Sequence, residues 1–432
     1  MPVMNTGVSA PTAPPYHVQS TARTLRDGFP CFAHHDSVSA LWSHKWRVPC
    51  AAGIYPFTDG RVEDFDPVFA ELSKISADDP AILYRPDDYA KPFFPVAEQL
   101  VAAAQETLSK GGVVEGRDLF LRAAAVYRIA RFPVNRSPLG QEAWEKGKAA
   151  YEQGGRLLDP PSIPIGIPFT HADTAAGDLD VDIAAYLRLP QGQKPATGWP
   201  VVLFICGLDA YRTDHTPRTQ QHVDRGYATI SFEIPGTGDC PAAPNDPASP
   251  DRLMSSVLDW VAADASAYGF DPERILARGI STGGYYAFRI AHTHADRLFA
   301  VVAQGGGCHH MFDADWIGAQ NQMEYPFALS DALAYKFGYR DPDPAVAVAR
   351  YAAEAHKFSL ADSGILRAPT CKLLVVNGME DSIFPIEDSI IVATQGSDKD
   401  LVVRGGRGHM GNPGAEEIVY EWLDRAVEGP QA

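Results

Sequence analysis

The sequence predicts an α/β fold: a mostly parallel sheet flanked by helices, with a helical N-terminal domain in front and a helical insertion within. Three observations predict it. From about residue 161 onward, short Val/Ile/Leu runs alternate with helical patterns, as strands covered on both faces do. Residues 26–160 instead repeat apolar side chains at spacings of three and four. Finally, a glycine-flanked serine stands between one apolar run and the next helical pattern.

The elements follow in order. Helices are predicted over 65–75, 94–109, 116–131 and 140–153, clearest in the segment 118–127. The preceding stretch, 29–57, is aromatic, with Phe32, Trp42, Trp46, Tyr55 and Phe57. Most of these rings are expected to pack in a core, and some to face a cavity. Asp159-Pro160-Pro161 marks the change of character. Strands are predicted over 163–169, 182–189, 201–206, 228–234, 274–280, 299–304, 372–377 and 400–404, and helices over 217–226, 251–268, 283–295 and 414–427. The connection between residues 304 and 372 is too long for a simple crossover and is expected to form a lid or pocket wall. The implied organisation is a mobile tail (1–25), a helical cap domain (26–160) and an α/β domain (161–432) with a lid-like insertion (308–367).

Bulk properties narrow the functions. The chain has 432 residues and a net charge of −17, which repels phosphate and argues against nucleic-acid partners and anionic membranes. Six cysteines, at 31, 50, 206, 240, 308 and 371, form no CxxC, so free thiols are expected, with Cys206 and Cys371 as buried small apolar groups. The N-terminus has no basic region followed by an apolar stretch, and no apolar run suits a membrane helix. An intracellular, cytoplasmic protein without a transmembrane segment is therefore expected. The triplet Asn135-Arg136-Ser137 is then a chance match to a glycosylation acceptor.

The serine lies in Gly279-Ile280-Ser281-Thr282-Gly283, the only G-x-S-x-G of the chain. Strand, strained turn and helix in this order form the nucleophile elbow of the α/β-hydrolase fold, and the glycines give room that side chains would fill. That fold requires serine, then acid, then histidine. The run 373–377 leads into Gly378-Met379-Glu380-Asp381, where Asp381 is the expected acid and Glu380 its rival. Only one histidine follows, His409, in a glycine-rich loop before the last helix. The oxyanion donors expected are the N–H of Thr282 and that of Leu208, in the loop after the run 201–206. Asp209 either caps that loop or contacts substrate as an acid or base. Tyr211, His309 and His310 are expected to border the pocket.

Other constellations carry less. Cys308-His309-His310 are three consecutive residues that cannot all turn to one ion, and no H-E-x-x-H accompanies them, so no metal is expected. Gly236-Thr237-Gly238 and the glycines of 405–411 lack the strand–GxGxxG–helix frame, so no nucleotide cofactor is expected.

Further motifs run through the chain. They are Lys45-Trp46, Tyr55-Pro56-Phe57, Tyr127-Arg128-Ile129-Ala130-Arg131-Phe132-Pro133 and Gly207-Leu208-Asp209-Ala210-Tyr211-Arg212. Glu233-Ile234-Pro235-Gly236-Thr237, Asp239-Cys240-Pro241, Pro247-Ala248-Ser249-Pro250-Asp251-Arg252-Leu253, Gly283-Gly284-Tyr285-Tyr286-Ala287 and Glu324-Tyr325-Pro326-Phe327 continue the series. By these, the chain resembles the fungal yellowish-green pigment hydrolases, from about residue 26 to its C-terminus. The resemblance implies a helical domain over an α/β-hydrolase core, often dimeric, with Ser281, Asp381 and His409 as triad. It implies hydrolysis of a carbon–carbon bond beside a ketone in an aromatic polyketide, as when a heptaketide naphthopyrone is shortened to tetrahydroxynaphthalene in melanin or pigment biosynthesis. The chain departs from the family at Ala210, where the family carries glycine. An ester or lactone hydrolase, an acyl-transfer cyclase, and a binding protein without turnover are the alternatives that the residues leave open.

Overall fold

The computed structural model describes residue 16, residues 24–26 and residues 28–428, so most of the expected 1–25 tail lies outside the described residues. The apolar runs form one eight-stranded sheet. Its strands are β1 (Ile163–Ile167), β2 (Ile183–Arg188), β3 (Trp199–Ile205), β4 (Ala228–Phe232), β5 (Phe270–Ile280), β6 (Ala300–Gln304), β7 (Lys372–Gly378) and β8 (Asp400–Arg404). The spatial order is β8-β7-β6-β5-β3-β4-β2-β1. β1 pairs antiparallel with β2, and β2 with β4; all other pairs are parallel.

Each central strand is apolar on both faces because both are covered. Val201, Leu203, Ala277, Val301 and Val375 enter the large core, while Val202, Leu276, Val302, Leu374 and Val376 point the other way. There they meet Val419, Trp422 and Leu423 of the C-terminal helix Ala415–Glu428. β5 begins four residues before the predicted start. Asp271, Pro272 and Glu273 look like turn residues, but an irregularity in the pairing between Trp199 and Val201 absorbs them.

The helical N-terminal region contains α1 (Val62–Ile75), α2 (Phe94–Ser109), α3 (Val113–Ala130) and α4 (Pro138–Gly155). Its aromatic stretch is chiefly core: Trp42 stacks on Phe69 at 4.5 Å, and Trp46 sets its edge against Phe57 and Phe132. Helices α5 (Thr216–Asp224), α6 (Ser249–Ala263) and α7 (Thr282–Thr293) then alternate with the strands. Between β6 and β7 the insertion carries α8 (Leu329–Lys336) and α9 (Pro344–Glu354). It reaches the N-terminal helices through Phe327 against Trp46 and Tyr325 stacked on Phe132.

All six cysteines are free. Cys206 is buried as expected, whereas Cys371 is only half-buried, because it sits at the exposed lip of β7 rather than within it. Among the described residues, no helix is long and apolar enough to cross a membrane.

Candidate active site

Register decides which loops meet. Ile205 at the end of β3 pairs with Gly279, Ile280 pairs with Gln304, and Gly378 at the end of β7 pairs with Arg404. The carboxyl ends of five adjacent strands therefore open on one edge, where parallel α/β sheets bind ligands. The loops after β3, β5, β7 and β8 carry Leu208, Ser281, Asp381 and His409 to that edge.

Ser281 has φ 52 and ψ −125, a conformation that is uncommon for a residue with a side chain. Its turn is possible because its glycine neighbours take no room. A Cβ on Gly279 would lie 2.2 Å from the Gly283 carbonyl oxygen, and one on Gly283 2.4 Å from those of Ile205 and Cys206. The second close approach also presses the β3 loop onto the elbow. α7 starts at Thr282, so the Thr282 N–H lies in the first turn, where no intrahelical acceptor exists.

Ser281 Oγ lies 2.8 Å from His409 Nε2, and His409 Nδ1 lies 2.9 Å from Asp381 Oδ2. With Nδ1–H donating to Asp381, Nε2 is left to accept the serine hydroxyl. Asp381 is buried and tightly fixed. Its Oδ1 accepts the N–H groups of Ile383 and Phe384, and its Oδ2 accepts Asn377 Nδ2 at 2.9 Å. Asn377 also accepts the N–H groups of Gly378 and Met410, so one side chain ties the acid loop to the histidine loop. Of the two adjacent carboxylates, Asp381 rather than Glu380 meets the imidazole.

Burial pulls the basicity of His409 down, but Asp381, Glu324 and Asp209 outweigh it and hold the imidazole above its ordinary value of 6.5. Glu324 is partnered by Lys45 at 3.4 Å and by Ser382.

Asp209 is buried, and its Oδ2 accepts the hydroxyls of Tyr55, at 2.5 Å, and of Tyr325. Tyr55 belongs to the N-terminal helical region and Tyr325 to the insertion. The C-terminal end of α3 positions this cluster with Arg128 in its last turn and Arg131 just after it. Arg131 donates to the Asp209 carbonyl, and Arg128 to those of Pro56 and Thr58. Both guanidinium groups flank the buried Asp214, at 2.9 and 2.7 Å.

The other pocket candidates are engaged elsewhere. Tyr211 is buried, donates to Asn135 and lies beneath the Arg131 guanidinium. That same bond holds Asn135 inside. His309 Nδ1 lies 2.8 Å from Ser359 Oγ, and His310 Nδ1 2.8 Å from Asp313. His309 shares its surroundings with His356 and Asp362, whose donor atoms all lie within 4.8 Å of one another. His356 already uses both ring nitrogens, on Asp362 and Asp313, so the group forms a hydrogen-bonded tie across the insertion.

Lys45, Glu324 and Tyr325 stand in the motifs but receive no role from sequence reasoning, and Tyr55 is read there only as one ring of the aromatic stretch. One signal does point to two of them: Tyr55-Pro56-Phe57 and Tyr325-Pro326-Phe327 are the same triplet, and both tyrosines end on Asp209.

Comparison with known proteins agrees with this architecture. The chain is 27% identical to the esterase FrsA of Salmonella paratyphi B over 321 residues, 71% of this chain and 69% of that one. FrsA of Salmonella newport gives the same figures. Among solved structures, the 2,6-dihydroxy-pseudo-oxynicotine hydrolase superposes with a TM-score of 0.62 at 19% identity, covering 78% of this chain and 88% of that one. AbyA5 superposes with a TM-score of 0.56 at 22% identity, covering 77% and 87%. Both likenesses are of fold. Residues 78–423 match the family described as esterase FrsA-like, and the chain belongs to that family of α/β hydrolases.

Proposed function

We propose that Ser281, His409 and Asp381 form a catalytic triad that hydrolyses a carbon–carbon bond beside a ketone and so shortens an aromatic polyketide. The continuous contact from Asp381 through His409 to Ser281 carries the hydrolase part of this reading. The motif resemblance carries the choice of ketone. His409 takes the proton of Ser281 as the serine oxygen attacks the ketone carbon. The N–H groups of Leu208 and Thr282 hold the oxyanion. The bond to the ring carbon then breaks, its electron pair stabilised as an enolate or phenolate, and the proton that His409 took from Ser281 passes to that carbon, which leaves the imidazole neutral. Water, deprotonated by His409, releases the acyl group. The N-terminal helices and the insertion, proposed as cap and lid, keep bulk water from the leaving carbanion.

Incubating the protein with a naphthopyrone or an acylated naphthol and identifying the products by mass spectrometry tests this. A shortened naphthol and a released acetate or acetoacetate are expected; ring opening alone contradicts the carbon–carbon reading. Family membership favours a second reading, ester hydrolysis by the same triad, which that opened product supports.

The raised basicity of His409 sets the pH dependence. The reaction needs a neutral imidazole, so activity is lost as pH falls through a value above 6.5. Glu324→Gln removes one of the charges that favour the imidazolium, so the acid limb of the kcat profile shifts to lower pH. A limb that stays in place shows that Glu324 does not act on His409.

A further inference from the structure

Asp209, Tyr55 and Tyr325 take no part in the triad, yet three distant parts of the chain bring them to one oxygen atom. Two phenol hydroxyls donate to Asp209 Oδ2. The Arg131 guanidinium, which acts on this carboxyl, spends its bonds on the Asp209 backbone carbonyl and on Asp214. Burial holds the Asp209 carboxyl above the usual carboxylate range, although the two hydroxyls and Arg131 oppose it. A carboxyl placed this way costs stability without a compensating ion pair, and a tie between domains needs only neutral groups. Its position adds to this. Asp209 follows Leu208, the proposed oxyanion donor, and its carboxyl lies close enough to His409 for the two groups to interact. Tyr55 keeps 40% of its surface exposed although its hydroxyl is bound to this carboxyl.

We propose that Asp209, oriented by Tyr55 and Tyr325, is a second acid of this site and protonates the carbon released when the ketone is cleaved. This rests on the carbon–carbon reading above and narrows its substrates to ortho-acylphenols and enolised β-diketones. Their leaving carbon is an enolate carbon that needs a proton, and their ortho oxygen suits the two phenols. The step balances. The Ser281 Oγ–acyl bond forms, with the serine proton passing to His409 Nε2. The bond from acyl carbon to ring carbon breaks, and its electron pair takes the Asp209 proton. The resulting carboxylate regains a proton from the His409 imidazolium through solvent water. Both groups are then reset for hydrolysis of the acyl-serine.

The test compares two substrates in the Asp209→Asn and Tyr55→Phe variants. One is an ortho-acylnaphthol. The other is 4-nitrophenyl acetate, whose nitrophenolate leaves without a proton. Asp209→Asn is expected to lower kcat for the ketone by about 10²–10⁴-fold, the range of general acid catalysis, and to lower it far less for the ester. Tyr55→Phe should give the same ordering with smaller losses. Ester turnover by either variant also reports that the oxyanion loop is folded. Equal losses on both substrates overturn the inference and leave Asp209 as a structural tie. Failure of the unaltered protein to cut the ketone overturns the carbon–carbon reading, and this inference with it.

Discussion

Ser281→Ala is expected to lower kcat by on the order of 10⁶-fold, and Asp381→Asn by about 10⁴-fold, the losses that triad removal and a wrong imidazole tautomer produce. The expectation for Asp381 comes from its bonds. As a carboxylate it accepts four donors: two backbone N–H groups, Asn377 Nδ2 and His409 Nδ1. An asparagine amide facing Nδ1 either repels the N–H or forces the proton to Nε2, where the serine hydroxyl can no longer be deprotonated. Glu380→Gln is the matched control, with a loss smaller than tenfold expected. Steady-state kinetics on one substrate decide it, and a larger loss from Glu380→Gln than from Asp381→Asn contradicts the assignment.

The largest effect on stability is expected at Asp214. Its carboxylate is buried, and although burial alone would raise it, Arg128 and Arg131 hold it below the usual range. It also accepts the N–H of Tyr211 at 2.8 Å. Asp214→Ala leaves two buried guanidinium groups facing each other, a loss of about 3–5 kcal/mol in denaturant unfolding. Replacing Arg128, Arg131 and Asp214 together by apolar residues should recover part of that stability. Activity should stay low in the triple variant, because no Arg131 grips the Asp209 carbonyl and no Arg128 anchors the segment bearing Tyr55. Full activity in the triple variant would show that the arginines do not position the site.

The sequence made the sheet and the order of Ser281, Asp381 and His409 legible for local reasons. Apolar runs such as 201–206 and 372–377 mark covered strands, and the elbow is written in five consecutive residues. Thr282 and Leu208 follow from the elbow and from the end of β3. The choice between Glu380 and Asp381 was open, because adjacent residues diverge and only the Asn377 clamp fixes which one turns inward. The Asp209 cluster was illegible for a different reason. Its members are 154 and 116 residues apart along the chain, and no local pattern states that Tyr55 and Tyr325 converge. For Tyr211, His309 and His310 the sequence neighbours alone point to the pocket. Their hydrogen bonds go to Asn135, Ser359 and Asp313, partners that no local pattern names. The winding of Leu41–Trp46 as a π-helix likewise has no sequence signal; it follows from packing Trp42 and Trp46 against Phe69.

Rapid quenching of the protein with an ortho-acylnaphthol, followed by peptide mass spectrometry, tests the proposed chemistry most directly. Ser281 bearing the acyl group, formed together with the deacylated naphthol, is the predicted result. An unmodified Ser281 during turnover, or an acyl group on another residue, would contradict it.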